Sequence, residues 1–262
     1  MYDAPTGAAR GLALLAALSL SACAEQAAHG RPAPAASAQE ALGPDVADAL
    51  RRMSAMLAAA PAVTVRMTAQ REGRLPNGQV VLLGATSAIL ARRPDRLAAV
   101  VGSDLGSFAL WYDGATVTVL NPVQNVYASN RLTGRLEDVV VWLEDRLGLE
   151  IPIRPLLAED PYAALLEAGP TTGVHVGRSV LRDVAVDHYA FRNPDADWEI
   201  WVETGPRPLP RRVSVVERQD RGPGRVTIDF DDWNLAPRLP DRAFAFVPPP
   251  EAVPATLVLQ PE

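Results

Sequence analysis

The chain has 262 residues, enough for one large domain or two small ones with a sizeable core. Hydrophobic residues make up 48% and charged residues 21%, which excludes a disordered chain. The 18 Gly and 24 Pro exceed the ordinary combined share of roughly 12%, so strands and turns are expected rather than a long-helix bundle. A formal charge of -6 argues against a nucleic-acid partner, and a single Cys excludes an intrachain disulfide framework and a thiolate metal cluster.

The N-terminus reads as an address. Residues 11–20 form an apolar run behind Arg10, long enough for a signal-peptide core and too short for a bilayer span, which needs about 20 residues. The run ends in Leu20-Ser21-Ala22-Cys23, which resembles the bacterial lipobox. That resemblance implies cleavage before Cys23, lipidation of its sulfur and acylation of the new N-terminus. The only Cys of the chain stands at that position. Ala24 in place of Asp implies, by the proteobacterial sorting rule, an anchor in the outer membrane facing the periplasm. Two or three acyl chains hold a membrane stably where one does not. The expected organisation is a leader over 1–22, a lipidated Ala/Pro-rich tether over 23–44, a folded domain over 45–250 and a tail over 251–262.

In chain order, Asp45 is expected to cap a helix whose apolar face carries Val46, Ala49, Leu50, Met53 and Leu57, with Pro61 ending it. Val63 to Thr68 alternates like a half-buried strand, and Asn77-Gly78 predicts a hairpin into a long strand over 79–92. Arg93-Pro94-Asp95-Arg96 turns the chain into a strand over 97–101. Residues 108–112 and 116–120 pair across Asp113-Gly114, and 123–128 follows as a short strand. Leu136, Val139, Val140, Leu143 and Leu147 predict a helix capped by Gly148, and Asp160-Pro161 opens a second one running to Gly169. Strands resume over 174–182, 184–192, 198–203, 211–218 and 226–233, with Phe244 and Phe246 expected on a last edge strand. About ten strands with three helices fit neither a bundle nor a layered α/β fold. The expected class is α+β, an open antiparallel β half-barrel curled around a few helices. Its concavity could hold an apolar ligand.

Arg93-Pro-Asp-Arg-Leu97, Trp111-Tyr-Asp-Gly114, Asn121-Pro122 through Tyr127, Asp160-Pro-Tyr-Ala-Ala-Leu165, and Trp198-Glu-Ile-Trp201 followed by Leu209-Pro-Arg211 resemble, in this order, a family of predicted periplasmic proteins of Gram-negative bacteria. That family is similar in fold to the lipoprotein carriers LolA and LolB. The resemblance covers about residues 45–250 and implies an open antiparallel barrel with helices plugging its mouth. Function transfers less well than fold.

Few residues point to chemistry. His175 and His188 lie thirteen apart on strands without metal-ligand spacing, and Asp187 and His188, as strand neighbours, face opposite sides. No nucleophile elbow or phosphate loop is present. Asn193, Asp195, Asp197 and Glu199 superficially resemble a calcium loop, but Trp198 stands where that loop needs Gly, so a polar hairpin turn is expected and no metal. Trp142 and Leu143 on the inserted helix, with Trp111, are the candidates for lining a hydrophobic pocket. Trp198 and Trp201 face opposite sides of their strand, so at most one lines a given cavity. The expectation is a non-enzymatic lipoprotein without cofactor that binds a lipid or lipoprotein acyl chain. A non-catalytic envelope module that meets a protein partner is the alternative.

Overall fold

The structure, a computed structural model, describes residues 42–149, 151, 153–218 and 224–257. The expected leader, Cys23 and the tether before residue 42 lie outside the described residues.

Helix α1 (Pro44–Ala58) begins with Gly43 at its N-cap and Pro44 in the first turn. Asp45 is therefore a first-turn residue and not the cap, where its carboxylate still meets the positive helix end. Its buried stripe is Val46, Ala49, Leu50, Met53 and Leu57. Strands β1 (Ala62–Arg74) and β2 (Val80–Arg92) are joined by the Asn77-Gly78 turn, with Gly78 at φ +87°. They pair in unbroken antiparallel register from Ala62↔Arg92 to Arg74↔Val80. Next come β3 (Arg96–Ser103), β4 (Gly106–Tyr112), β5 (Thr116–Asn121) and β6 (Val126–Arg131). β6 starts later than expected, because the Asn121 Oδ1 accepts the N–H groups of Val123 and Gln124 and ties those residues into a turn.

Helix α2 (Leu136–Leu147) ends on Gly148 in the left-handed region, as its sequence requires. A short α3 (Arg154–Leu157) was not expected; four residues are too few to display a helical period. Helix α4 (Pro161–Leu165) is capped by Asp160 and stops short of Ala168. Five strands follow: β7 (Thr172–Leu181), β8 (Val184–Arg192), β9 (Ala196–Glu203), β10 (Pro210–Glu217) and β11 (Arg225–Asn234).

Together with β12 (Val253–Pro254), the strands form one sheet in the order β12-β6-β5-β4-β3-β2-β1-β11-β10-β9-β8-β7. All pairings are antiparallel except β12 with β6, and the order does not close on itself. Laid flat, twelve strands would span roughly 50 Å. Yet α1 and α2 share one buried cluster with residues of β1 to β5 and of β8 to β11. Only a sheet curled around the helices brings those strands to the same core. The structure is thus an open half-barrel holding helices in its concavity.

The C-terminal segment corrects the sequence reading. Phe244 and Phe246 form no edge strand; a 3₁₀ turn over Asp241–Ala243 precedes them. Phe244 is fully buried under the Arg92 guanidinium, and Phe246 packs, tilted, between Trp111 and Tyr127 with ring centroids at 5.1 and 4.9 Å. The prolines at 248–250 lack the N–H groups a ladder needs, so aromatic burial decides the course of the chain. The segment crosses the outer face as a strap, held by Arg92 to the Leu239 carbonyl and to Asp241, and by Asn125 to the Pro250 carbonyl. β12, within the segment read as a tail, then covers the edge of β6.

Arg92 holds the Asp241 carboxyl below the usual carboxylate range. A carboxylate with a depressed folded pKa contributes stability above its unfolded pKa and loses it as pH falls through the folded one. The clasp therefore holds at neutral pH and is released below the ordinary Asp range. The near-ultraviolet circular dichroism of the strap aromatics is expected to fall on that acidification, and Asp241→Asn to reproduce the acid spectrum at neutral pH. An acid-insensitive spectrum would contradict this account of the strap.

Candidate functional site

Strand periodicity sorts residues onto two faces. Leu110 and Tyr112 belong to the helix-packed core, so Trp111 between them points outward, onto Phe246 of the strap. This corrects the expectation that Trp111 lines the cavity. Leu143 is fully buried in the core, and Trp142 on the same helix is half-buried against it. Trp198 faces inward and stacks on Phe191 at 3.9 Å, while Trp201 faces outward and stacks on His188 at 4.0 Å.

The histidines are held by carboxylates across strands. His188 Nε2 lies 3.0 Å from Glu199, and His175 Nε2 lies 3.3 Å from Asp187, which also accepts from Arg178. Asp187 and His188 point to opposite faces. Asn193 folds its Oδ1 onto the N–H groups of Asp195 and Ala196, and Asp197 pairs bidentately with Arg192. That is the expected polar hairpin turn. No cluster of three metal-ligating side chains occurs among the described residues.

At the end where the helices sit, the interior is filled. Leu50, Met53, Leu57, Leu143, Phe230 and Ile200 are fully buried. A cleft remains among Leu57, Ala62, Val63, Ala91, Leu136, Leu156, Leu157 and Trp233, with Arg93 at its side. The cavity in it is only about 10 Å³, room for a single water at most and far below the roughly 300–1,000 Å³ of ligand pockets. Trp142, Leu143 and Trp111 do not line it.

Arg93 joins the sheet to the insert that carries α2, α3 and α4. Its Nη1 donates to the Leu157 carbonyl at 2.9 Å. Burial lowers its pKa from the usual guanidinium value, opposed by Glu159 and Glu137 nearby. The Leu136 N–H donates to the Pro94 carbonyl, and the buried Tyr112 hydroxyl donates to Gly134 at 2.8 Å. Burial raises the Tyr112 pKa, so the donor form is retained. Within the insert, Glu144 accepts from the Ile151 N–H and meets Arg154 at 3.2 Å. Sequence reading placed Arg93 in a turn and gave no signal that its side chain reaches 64 residues onward. Replacing Arg93 by Leu removes a charge-assisted bond of about 2 kcal/mol. Amide hydrogen exchange over α2 to α4 is expected to quicken about tenfold or more; exchange equal to wild type would show that Arg93 is no latch.

Among the described residues, burial falls off toward the opposite end of the concavity. β1 and β2 have 13 residues each, about 43 Å, whereas α1 and α2 with 15 and 12 residues reach only about 22 and 18 Å. Burial along β1 falls from Ala62 and Val63 to an exposed Arg74. Beyond the helices the inward apolar positions are Met67 and Ala69 on β1, Leu83 and Ala85 on β2, Val101 on β3, Phe108 on β4, Val215 on β10 and Val226 on β11, with Ser87 between Met67 and Val101 and Ser103 opposite Ala85 as polar inward neighbours. All are half-buried. They form an apolar trough across six adjacent strands, which neither the Trp positions nor any motif announces.

A family profile described as "Predicted periplasmic protein (DUF2092)" matches residues 47–258, and the chain belongs to that family. No curated protein matches. Among solved structures the chain is similar to LprF from Mycobacterium bovis, at 13% identity and TM-score 0.47, over 76% of this chain and 97% of that one. It is similar to the lipoprotein LppX from Mycobacterium tuberculosis at 12% identity and TM-score 0.40, over 73% and 96%. It is also similar to a LolA superfamily protein from Nitrosomonas europaea at 13% identity and TM-score 0.39, over 76% and 96%.

Proposed function

We propose that this periplasmic family member binds an acyl chain in the trough of its half-barrel, with the α2–α4 insert as a movable cover. The observation that carries this reading is the run of half-buried, inward apolar side chains beyond the helices. Each methylene withdrawn from water there contributes about 0.8 kcal/mol, so a chain lying across several strands gains enough for micromolar binding. The filled helix end leaves too little room for a whole acyl chain, so deeper entry requires the insert to move off Arg93.

The reading extends to the address. Cys23 is proposed to carry the lipid that holds the domain at the outer membrane, facing the periplasm. Metabolic labelling with radioactive palmitate should be lost in Cys23→Ala, and equal labelling would remove the anchor. For ligand binding, palmitate is expected to displace the probe 1-anilinonaphthalene-8-sulfonate from the trough at micromolar concentration. Absence of displacement would count against acyl binding.

A second reading, an envelope interaction module, is favoured by β7. Among the described residues this strand is paired on one side only and exposes Val174, Val176 and Val180, whereas β12 pairs with β6 at the other edge. An extended protein segment could add to it. A half-barrel that takes no palmitate yet captures such a segment would fit this reading instead.

A further inference from the structure

We infer that the rim of the half-barrel opposite the helix end docks onto a phospholipid surface, through aliphatic side chains carried on the tips of three successive hairpins: Leu75, Leu105 and Val123. The inference takes its membrane from the anchoring proposal and is independent of acyl binding. Turn positions ordinarily carry Gly, Pro, Asn, Asp or Ser. At the helix end the turns of this arm are Arg93-Pro94-Asp95 between β2 and β3 and Asp113-Gly114-Ala115 between β4 and β5, with no exposed large apolar side chain. At the opposite rim Leu75, Leu105 and Val123 stand in the β1–β2, β3–β4 and β5–β6 turns, 41%, 76% and 81% exposed. Other residues hold two of these turns. Ser103 Oγ accepts the Leu105 N–H and donates to the Gly106 carbonyl, and Asn121 Oδ1 accepts the N–H groups of Val123 and Gln124. The aliphatic side chains themselves are not needed to form them.

The first of these hairpins also projects. β2 pairs with β3 as far as Ala85↔Ser103, and β1 with β11 as far as Arg71↔Val226, whereas β1 and β2 stay paired to Arg74↔Val80. Among the described residues its last rungs are therefore a two-stranded ribbon, on which Val80 and Leu82 are exposed as well. The three hairpins are neighbours in the sheet, so their centres lie about 10 Å apart. Tips at that spacing are too far apart to form the contiguous dry centre of a protein interface. Each tip can enter the interfacial layer of a bilayer by itself, where leaving water is favourable. The attachment of the chain lies at the same rim. A Cβ on Gly173, near the start of β7, would stand 2.8 Å from Leu42 Cδ2. Ladder partners lead from Gly173 through Phe191, Trp198, Val215 and Val226 to Arg71, near the end of β1. Cys23, the proposed lipid site, stands 19 positions before Leu42, so the anchor joins the domain at the rim that carries the tips. Docking there turns the mouth of the trough toward the bilayer.

The test uses the full chain on vesicles of phosphatidylethanolamine and phosphatidylglycerol that include lipids with a nitroxide on the acyl chain. A thiol is introduced singly by Leu75→Cys, Leu105→Cys or Val123→Cys, or by Ala115→Cys in a turn at the helix end, and coupled to the fluorophore NBD. The one native thiol, Cys23, is blocked if lipidated; label taken up by the unsubstituted chain contradicts the anchor alone and is subtracted from each variant. NBD at the three tips is expected to be quenched several-fold more than at position 115. Leu105→Asp together with Val123→Asp, made in the Leu75→Cys chain, should lower quenching at position 75 about tenfold while circular dichroism stays that of wild type. Equal quenching at the two ends overturns the inference. Cross-linking of Leu105→Cys between copies without quenching by lipid assigns the rim to a second copy and overturns it too. Palmitate displacement is expected to be the same in the double aspartate variant and the wild type, so failure of docking and failure of acyl binding are read separately.

Discussion

Met53→Ala is expected to cost about 2–5 kcal/mol, a large part of the roughly 5–15 kcal/mol by which a domain is stable. Met53 is fully buried in the cluster that joins α1 to the sheet on both of its arms. α1 plugs the half-barrel, and removing three side-chain heavy atoms from its centre leaves a cavity that a curled sheet closes poorly. Denaturant melts of wild type and variant measure the difference. A loss under about 1 kcal/mol would mean that the concavity relaxes freely around α1, against a packed plug.

Ala69→Asp is expected to weaken acyl binding about 50-fold while the domain stays folded. Ala69 is inward but half-buried, opposite Ile228 on one side and Ala85 on the other. A carboxylate there keeps its hydration, so the folding penalty stays well below that of a buried charge. The acyl chain, in contrast, must cross the charged position. Losing contact for about three methylenes removes some 2.4 kcal/mol, or about 50-fold in affinity. Palmitate displacement on a variant with wild-type circular dichroism measures it. Unchanged affinity would place the ligand elsewhere.

The strands and most helices were legible because their signals are local. Asn77-Gly78 and Asp113-Gly114 supply positive-φ hairpin turns, and Gly148 the left-handed helix end. The half-barrel followed from the ratio of strands to helices. The site was less legible because it depends on lengths and parities between distant segments. Trp111 was misassigned since an aromatic residue on a strand gives no sign of which face is inward; that depends on Phe246, far along the chain. The trough lies on small and branched residues such as Ala69, Ala85 and Val101, which read as ordinary strand. They become a proposed site only because β1 and β2 outrun α1 and α2. Arg93 likewise acquires its partner, the Leu157 carbonyl, through the fold of the insert.

The most direct test of acyl binding is native mass spectrometry of the domain from Leu42 onward, exported to a bacterial periplasm, purified without detergent and extracted for lipid. The account predicts a stoichiometric adduct that extracts as a fatty acid or phospholipid and disappears in Ala69→Asp. A clean unliganded mass for the wild type, or an adduct that survives Ala69→Asp, would contradict it.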